Sequence, residues 1–535
     1  MSLKIEDYAI IGNTCTVALV GIDGSIDWLC VPRFDSPACF ASLLGTEKNG
    51  RWRIAPKGEV RRTTRKYRGD TLVLETQFET ADGIVALIDF MPIHERLKQV
   101  DMVRIVEGRA GHVPMHMEAI FRFDYGQVVP WVTSRDDGLR AIAGPDAVKL
   151  RTSVAMRGED FTTTSDFTVA RGQQIPFTLT YYPSHEDEPS GRHPMRMLER
   201  TEAWWRDWSG RSKVGDPYRD AIMRSLITLK ALTYGPTGGI VAAATSSLPE
   251  KLGGERNWDY RMCWLRDSTF TLYALAIAGY HEEAKAWRQW LLRAIAGEPA
   301  RMQIMYGLRG ERRLTELEVP WLKGYADSKP VRIGNAAHQQ FQLDVYGEVM
   351  DSFYTARKEG LEPEAEAAAV ETALMEFLET AWKEPDEGIW EVRGKRRHFT
   401  HSKIMAWVAA DRAVKLIEKF GNPGPVERWR KLREEIRADV LARGFDPGRN
   451  AFVQSYGSDL LDASLLMIPL IGFLPAKDPR MTGTVAAIER ELIRDGLVRR
   501  YQNREEVDGL PPGEGTFLAC TFWYADNLAL MGRHD

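Results

Sequence analysis

The sequence predicts two kinds of domain in one chain, an antiparallel β-sandwich followed by a helical barrel of the α/α type. At 535 residues the chain is too long for one ordinary domain. Residues 1–193 contain many short segments of strand type, and residues 215–535 repeat apolar residues with the period of a helix. Between them, residues 194–214 are expected to form a linker helix.

The strand segments are rich in Val, Ile, Thr, Phe and Tyr, and Gly, Pro or Asp separates them. Examples are TCTVALV (14–20), TLVLETQFE (71–79) and FTLTYYP (177–183). Three Asp-Gly pairs suit tight hairpin turns: Asp23-Gly24, Asp82-Gly83 and Asp137-Gly138. Many short strands at this spacing indicate an antiparallel sandwich.

Ten helices are expected after the linker helix, mostly joined by short connections, as in an α/α barrel or an α-solenoid. The segment SDLLDASLLMIPLIGF (458–473) is apolar nearly all round, as an inner helix covered by an outer ring would be. No repeat of fixed period is visible, which counts against a solenoid.

Composition excludes several classes of partner. The net charge of −4 gives no electrostatic support for binding to nucleic acid or to an anionic membrane. No apolar run reaches the roughly 18 residues of a membrane span, and the N-terminus lacks the pattern of a signal peptide, which indicates a cytoplasmic protein. The five cysteines show no CxxC spacing and are expected to be buried thiols.

The segment from Lys251 to Tyr273 predicts a sugar-binding site. It concentrates aromatic rings and paired charges in a few positions. Aromatic rings cover the C–H faces of a sugar, while Arg and Asp hold its hydroxyls through charge-assisted hydrogen bonds. Solvent-exposed ion pairs beside a packed helix start are the alternative, but so many polar groups close to aromatics favour binding. The residues expected to contact substrate here are Trp258, Asp259, Trp264, Arg266 and Asp267.

A first catalytic carboxylate is expected on a helix that follows residue 334. Asp344, Glu348 and Asp351 fall on one face of that helix, beside an apolar face. Like charges at this spacing repel one another, so a solvated acidic stripe is the alternative. Glu348 would lie at the boundary with the core, where desolvation raises a carboxyl pKa towards that of a general acid.

A second carboxylate, Glu514, stands between two glycines after a Pro-Pro pair and just before an apolar helix. A carboxylate that interacts with the helix dipole is the alternative interpretation. Two carboxylates with Arg, Asp and Trp around them are the basic requirement of glycoside hydrolysis, in which one protonates the departing oxygen and the other activates water. Protonation and hydration complete that reaction, so neither a metal nor an organic cofactor is expected.

Seven segments in chain order resemble the family 15 glycoside hydrolases, which include glucoamylases, glucodextranases and bacterial and archaeal trehalases. They are IEDYAIIGN, VGIDGSIDWLCVPRFDSPACFASLLG, YRGDTLVLET, WDYRMCWLRDSTFTLYAL, PVRIGNAAHQQFQLDVYGEVMD, FTHSKIMAWVAADR and PPGEGTFLACTFW. The resemblance implies a β-sandwich, a linker and an (α/α)6 barrel, together with inversion at the anomeric carbon. It also implies that Arg266 and Asp267 bind the terminal glucose, that Trp264 forms a wall, and that Glu514 is the general base and Glu348 the general acid.

The six-pair barrel that the resemblance implies needs twelve helices, and the sequence predicts ten. We therefore expect an open sector that exposes apolar sides of the first and tenth helices, either covered by a partner subunit in a homo-oligomer or left as a cleft.

A second departure concerns the acid. Fungal glucoamylases carry the acid in a WEEV-like stretch, and an ungapped match places Gly347 of Tyr346-Gly347-Glu348-Val349 at the acid's position. Glu348 or a loop residue, Glu316 or Glu318, is therefore expected to serve. Further substrate contacts are expected from Glu316, Glu318, Trp321, Arg332 and Tyr346.

The predicted function is exo-acting, inverting hydrolysis of small α-glucosides or maltooligosaccharides, with release of β-glucose from the non-reducing end. Trehalase activity on the same scaffold is a close alternative, because the loops of the pocket decide the leaving group. A sugar-binding protein on a degenerate hydrolase scaffold is a third possibility. A lyase or phosphorylase is disfavoured, because a phosphorylase needs a cationic phosphate site where Glu514 stands.

Overall fold

The computed structural model describes residues 2–93, 99–215, 217–362, 365–502, 509, 511 and 513–534. Strands fill the first third of the chain and α-helices most of the rest, which confirms the predicted fold class. The predicted boundaries at residues 193 and 214 stay a prediction; the last long strand ends at Pro183, and the helix between the domains runs from Pro194 to Ser209.

Fifteen strands form the N-terminal domain, and every paired neighbour is antiparallel. They are β1 (Tyr8–Gly12), β2 (Val17–Gly21), β3 (Ser25–Cys30), β4 (Ala38–Phe40), β5 (Arg51–Pro56), β6 (Val60–Tyr67), β7 (Leu74–Thr80), β8 (Gly83–Phe90), β9 (Val100–Ile120), β10 (Trp131–Arg135), β11 (Gly138–Ala143), β12 (Asp146–Thr152), β13 (Arg157–Glu159), β14 (Thr162–Ala170) and β15 (Gln174–Pro183).

The long strand β9 belongs to both layers of the sandwich. Its first half pairs with β8 and β15, which continue into β7–β6 and β12–β11–β10. Its second half pairs with β5 and β14, and β5 continues into β3, β2 and β1. Apolar side chains of both layers pack in one core, which includes Trp52, Met117, Val148 and Leu179.

The three Asp-Gly hairpins are confirmed. They connect β2 to β3, β7 to β8 and β10 to β11. Gly24 and Gly138 have φ values of +81° and +145°, in the region that favours glycine. At Gly138 a Cβ would also lie 2.0 Å from a backbone oxygen, so a side chain has no room there.

The linker helix α1 (Pro194–Ser209) is confirmed and packs against both domains. Met197 and Leu198 pack against Phe90 and its neighbours in the sandwich. On the barrel side the Trp208 ring stacks on Tyr280 with 4.1 Å between centroids. The two domains therefore share one continuous body of packed side chains.

Ten α-helices follow in the described residues, as the periodicity predicts. They are α2 (Arg219–Ala231), α3 (Leu265–Ile277), α4 (His281–Ala294), α5 (Asp344–Lys358), α6 (Ala365–Ala381), α7 (Thr400–Phe420), α8 (Val426–Arg443), α9 (Met467–Leu470), α10 (Pro479–Glu491) and α11 (Leu518–Met531). The expected helix over 458–473 is shorter than predicted: a 3-10 turn, Ala463–Leu466, precedes α9, and α9 ends at Leu470. Asp462 caps that turn through the backbone N–H of Ser464, so the residues before it are not helical.

Short two-stranded pairs lie in the loops between the helices. They are β16 (Ser246–Pro249) with β17 (Asn257–Asp259), β18 (Cys263–Trp264) with β19 (Met305–Tyr306), β20 (Leu317–Glu318) with β21 (Arg332–Ile333), β22 (Phe445–Asp446) with β23 (Ala451–Phe452), and β24 (Ile493–Arg494) with β25 (Leu497–Val498).

Contacts link α3 to α5, α5 to α7 and α9 to α11, and the 3-10 turn Ala463–Leu466 connects α7 with α9. A cavity of about 740 Å³, which we call the large cavity, is lined by residues of α3, α4, α5, α7, α9 and α11. Beside it, Tyr273 and Ile277 of α3 and Phe522 and Leu530 of α11 are each more than half exposed. The prediction named the first and tenth barrel helices, α2 and α11, whereas these exposed side chains lie on α3 and α11, so the open sector and what covers it stay a prediction. None of the helices in the described part of the chain is long and apolar enough to cross a membrane.

Candidate active site

Four loops from different parts of the barrel domain meet around a second, narrow cavity of about 30 Å³, which we call the small cavity. That volume accommodates about two water molecules. The loops contribute aromatic rings, carboxylates and guanidinium groups to its lining. The lining residues are Glu250, Arg256, Trp258, Tyr260, Asn335, Ala337, Trp390, Glu391, Val392, Arg393, Arg500 and Tyr501.

Glu391 is the carboxylate of the small cavity that is best placed to donate a proton. Its Oε1 accepts a hydrogen bond of 3.0 Å from the indole Nε1 of Trp264 and one of 3.3 Å from Arg266 Nη1. Burial raises the pKa of Glu391, although Arg266, Arg500 and Trp264 oppose that shift by stabilising the carboxylate. A raised pKa keeps a carboxyl protonated at a higher pH, as a general acid requires.

The backbone at Glu391 supports a functional role. Its φ is +53°, in the left-handed region, which costs a residue with a side chain about 1–3 kcal/mol. Arg266 holds the same loop by donating a hydrogen bond of 2.5 Å to the Ile389 carbonyl. Arg266 also contacts Asp267 at 3.0 Å, so the predicted Arg-Asp pair lies directly beside Glu391.

Arg500 connects Glu514 with the small cavity, because Arg500 lines the cavity and Glu514 is not among its lining residues. The Glu514 carboxylate forms an ion pair with Arg500, and only 5% of its side chain is exposed. Arg500 also contacts Glu250 at 3.0 Å, and its guanidinium lies 5.4 Å from the Trp390 ring centre. The positive charge of Arg500 therefore influences three carboxylates. It pairs with Glu514 and Glu250, and its charge lowers the pKa of Glu391 against the effect of burial.

Two guanidinium groups lie over the Trp258 ring. Arg332 lies 4.6 Å and Arg393 4.3 Å from its ring centre. Glu316 joins the two arginines, at 2.9 Å from Arg393 and 3.7 Å from Arg332. Burial raises the pKa of Glu316, but Arg393 and a backbone N–H outweigh this effect and lower it. Glu316 is therefore a poor proton donor, and Glu318, 64% exposed, lies at the edge of this group.

Asp259 does not face the cavity. It is fully buried, and both of its oxygens accept hydrogen bonds from Arg261, at 2.9 and 2.7 Å. Its Oδ2 also accepts a hydrogen bond from the backbone N–H of Gly334 at 3.0 Å. These contacts leave no accessible group for a sugar, so the prediction that Asp259 contacts substrate is corrected: it holds the loop.

Among the residues predicted to contact substrate, Trp258 alone lines the small cavity; besides Asp259, the residues outside its lining are Trp264, Arg266, Asp267, Glu316, Glu318, Arg332, Tyr346 and Trp321. The Tyr346 hydroxyl donates to the Pro299 carbonyl at 2.8 Å, and its ring stacks on Phe377. Trp321 is 40% exposed and donates from Nε1 to the Tyr125 carbonyl at 3.0 Å. Tyr346 has a packing role here, and substrate binding by either residue stays a prediction.

Glu348, the predicted acid, lies on α5 and lines the large cavity. Burial raises its pKa well above the ordinary range, and the negative charges of Asp344 and Asp351 add to the shift. Arg266 is the cation that opposes it. A shift in this direction suits a general acid, but Glu348 is not among the residues that line the small cavity with Arg500.

Sequence reasoning missed Glu391, although a signal for it was present. The stretch Trp390-Glu391-Val392 reads WEV and contains most of the WEEV pattern that the resemblance requires. The stretch 346–349 resembles the same pattern without a gap and lies on a helix that carries carboxylates, so it points to Glu348 instead. Arg500 and Glu250 were also missed, because neither stands in a pattern that marks it.

Comparison with known proteins adds three kinds of finding. Residues 216–535 match the family described as Glycosyl hydrolases family 15, and residues 1–175 match the one described as Trehalase-like, N-terminal. A trehalase of Mycolicibacterium smegmatis is 40% identical over 99% of this chain and 83% of its own length. A trehalase of Thermoplasma volcanium is 35% identical over 99% of this chain and 85% of its own length.

Among solved structures, a bacterial glucoamylase in complex with acarbose superimposes with a TM-score of 0.71 at 12% identity. It covers 100% of this chain and 86% of its own. At that identity the likeness concerns the fold. With a family match over more than half of its length and relatives at this level of identity, the chain belongs to the glycosyl hydrolases of family 15.

Proposed function

We propose that this glycoside hydrolase is a trehalase, which hydrolyses α,α-trehalose to two molecules of glucose. The observation that carries the chemistry is that Arg500, which lines the small cavity together with Glu391, forms an ion pair with Glu514. The substrate is supported by the similarity to proteins named trehalase, whereas the likeness to the glucoamylase concerns the fold. Trehalose is therefore a better candidate than the maltooligosaccharides that the sequence alone favours.

In the proposed mechanism Glu391 donates its proton to the glycosidic oxygen as the C–O bond breaks. Glu514 removes a proton from a water molecule that attacks the anomeric carbon from the opposite face. The hydroxyl of that water becomes the new anomeric group, and the departing sugar carries the proton from Glu391. Inversion at one of the two α carbons of trehalose gives one β-glucose and one α-glucose.

Arg266 and Asp267 are proposed to bind hydroxyls of the glucosyl ring that reacts. Both lie beside Glu391, so a ring held by them presents its glycosidic oxygen to that carboxyl. Because the small cavity has room for about two water molecules, a sugar ring enters only when lining side chains move. The movement proposed is a shift of the Arg500 side chain. The Glu514 carboxylate released by that shift is then available to a water.

Glu391 replaces Glu348 as the proposed acid, on the ground that Glu391 shares the small cavity with Arg500. The assignment of Glu348 stays a testable alternative, because its raised pKa also suits an acid. Comparing Glu391→Gln with Glu348→Gln separates them.

The test of the function is to incubate the purified protein with trehalose, maltose and isomaltose separately and to measure glucose. The proposal expects trehalose to be the best substrate, with equal amounts of α- and β-glucose in NMR spectra recorded before mutarotation. Turnover of maltose without trehalose would favour the glucoamylase-type activity instead. Hydrolysis of none of the three would overturn the proposed function.

A further inference from the structure

Arg261 is a buried cation with many hydrogen bonds. It follows Tyr260, which lines the small cavity, but Arg261 itself is not among the lining residues. Its side chain is 1% exposed. Its Nε and Nη2 grip the Asp259 carboxylate in a two-point contact, at 2.9 and 2.7 Å. The Arg261 backbone N–H also donates to Asp259 at 3.1 Å. A planar guanidinium paired in this way fixes orientation as well as distance.

The remaining donors of Arg261 reach the β-sandwich. Nη1 donates to the Ser36 carbonyl at 3.0 Å, to the Phe34 carbonyl at 3.4 Å and to Cys30 Sγ at 3.3 Å. Nη2 donates to the Tyr125 hydroxyl at 2.8 Å. All three nitrogens of the guanidinium are thus engaged, and one side chain joins the barrel loop to three segments of the other domain.

Asp259 extends the connection to a second loop. Its Oδ2 accepts from the Gly334 N–H at 3.0 Å, and its backbone carbonyl accepts from Asn335 Nδ2 at 3.4 Å. Asn335 lines the small cavity, as do Trp258 and Tyr260 on either side of Asp259. Successive side chains of an extended strand point in opposite directions. Trp258 and Tyr260 therefore line the cavity, while Asp259 and Arg261, which alternate with them, lie outside its lining, and Arg261 reaches the sandwich.

We infer that Asp259 and Arg261 form a positioning pair through which the β-sandwich sets the position of the cavity walls Trp258, Tyr260 and Asn335. The inference rests on the proposed function, because it concerns the same site. It makes the sandwich a working part of the active site rather than an appended domain. Neither residue is assigned a contact with substrate; both act through the walls.

The pair is tested by the double variant Asp259→Asn with Arg261→Met, which removes both charges and leaves no unpaired buried ion. The matched control is Asp89→Asn with Arg104→Met. That pair is also fully buried, at 2.7 Å, and the other partners of Arg104, the Trp52 and Gly24 carbonyls, lie in the sandwich. Both variants lose one buried pair, but only the first lies beside the cavity.

For trehalose hydrolysis the inference expects kcat of the first double variant to fall about tenfold to a hundredfold, with KM changing less, since small displacements of positioning groups lower the rate of the chemical step. The control double variant is expected to keep kcat within about twofold of wild type. The single variant Arg261→Lys keeps the positive charge but loses the two-point contact with Asp259. Its kcat is expected to lie between that of the first double variant and that of wild type. Equal kcat in the two double variants would overturn the inference.

If the first double variant does not fold, Tyr125→Phe decides. This change removes one hydroxyl contact of Arg261 in the sandwich and leaves the pair with Asp259 intact. A lower kcat with a Tm within about 2 °C of wild type supports the inference, and an unchanged kcat overturns it. A wild-type protein that hydrolyses none of the three disaccharides refutes the proposed function, whereas an active wild type with insensitive variants refutes only the positioning pair.

Discussion

The indole Nε1 of Trp264 donates a hydrogen bond of 3.0 Å to Oε1 of Glu391. Trp264 was expected to form a wall for the sugar, and the structure gives it a second task, because its N–H stabilises the ionised form of the carboxyl proposed as the acid. Arg266, two residues later, also stabilises the ionised carboxyl, because its Nη1 donates a hydrogen bond of 3.3 Å to the same oxygen. The segment from Trp264 to Asp267 therefore takes part in the proposed proton transfer as well as in the proposed binding of the sugar.

Trp264→Phe removes that hydrogen bond and is expected to raise the pKa of Glu391, since a bond to the charged form lowers it. A general acid works only while protonated, so the alkaline limb of kcat/KM against pH should move upward, by about one unit. Trp390→Phe is the control, because that indole donates to Asp462 instead. An unchanged alkaline limb in Trp264→Phe would argue against Glu391 as the titrating acid.

Glu391→Gln is expected to lower kcat on trehalose by about 10²–10⁴-fold, the range of general-acid catalysis. With 4-nitrophenyl α-glucoside the loss should be smaller, because nitrophenolate departs without a proton. Glu348→Gln serves as the matched variant and is expected to lower kcat by less than about tenfold. A larger loss in Glu348→Gln than in Glu391→Gln would return the role of the acid to Glu348.

Glu514→Gln is expected to lower kcat by at least about 10³-fold while trehalose still binds, as measured by calorimetry. The reason is that the amide cannot remove a proton from the attacking water, although it keeps the size of the side chain. Glu250→Gln is the comparison, since Glu250 contacts the same Arg500 at 3.0 Å but has no proposed part in the chemistry. Similar losses in both variants would indicate that only the ion pairs of Arg500 matter.

Asp344 offers a prediction about stability. Both of its carboxylate oxygens are buried without a hydrogen-bond partner, and burial, with Asp386 nearby, raises its pKa to about 7. Between pH 4 and 7 the folded state therefore binds more protons at this site than the unfolded chain, whose Asp has a pKa of about 3.9. Unfolding free energy then falls as pH rises, by up to about 1.4 kcal/mol per pH unit from this group.

Asp344→Asn removes that contribution, so the decrease in Tm from pH 4 to pH 7 should be shallower than in wild type. Calorimetry at several pH values in this range measures the two slopes. The slopes are compared rather than single Tm values, because the buried amide introduces its own cost at every pH. Equal slopes would show that Asp344 ionises in the folded protein as it does in water.

Much of the fold could be predicted because local patterns carry it. Asp-Gly pairs made hairpins wherever they separated two strand-like segments, and the helical period placed every barrel helix except the short α9. The long β9 was not predicted as one strand, since pairing with different partners along its length decides its extent. The site was predicted in part: Arg266, Asp267 and Trp264 meet beside a carboxylate, but beside Glu391, a residue that the sequence reasoning passed over.

By itself, the sequence determined the class of each domain, the family resemblance and the set of residue types from which a sugar site is built. Only the tertiary structure decided which of those residues share a cavity. Asp259 and Asp267 look alike in the sequence, yet one is buried against Arg261 and the other is one-third exposed beside Arg266. The physical reason is that local order follows from neighbouring residues, whereas burial and charge pairing depend on segments such as 30–36 and 334–335 that lie far away in the chain.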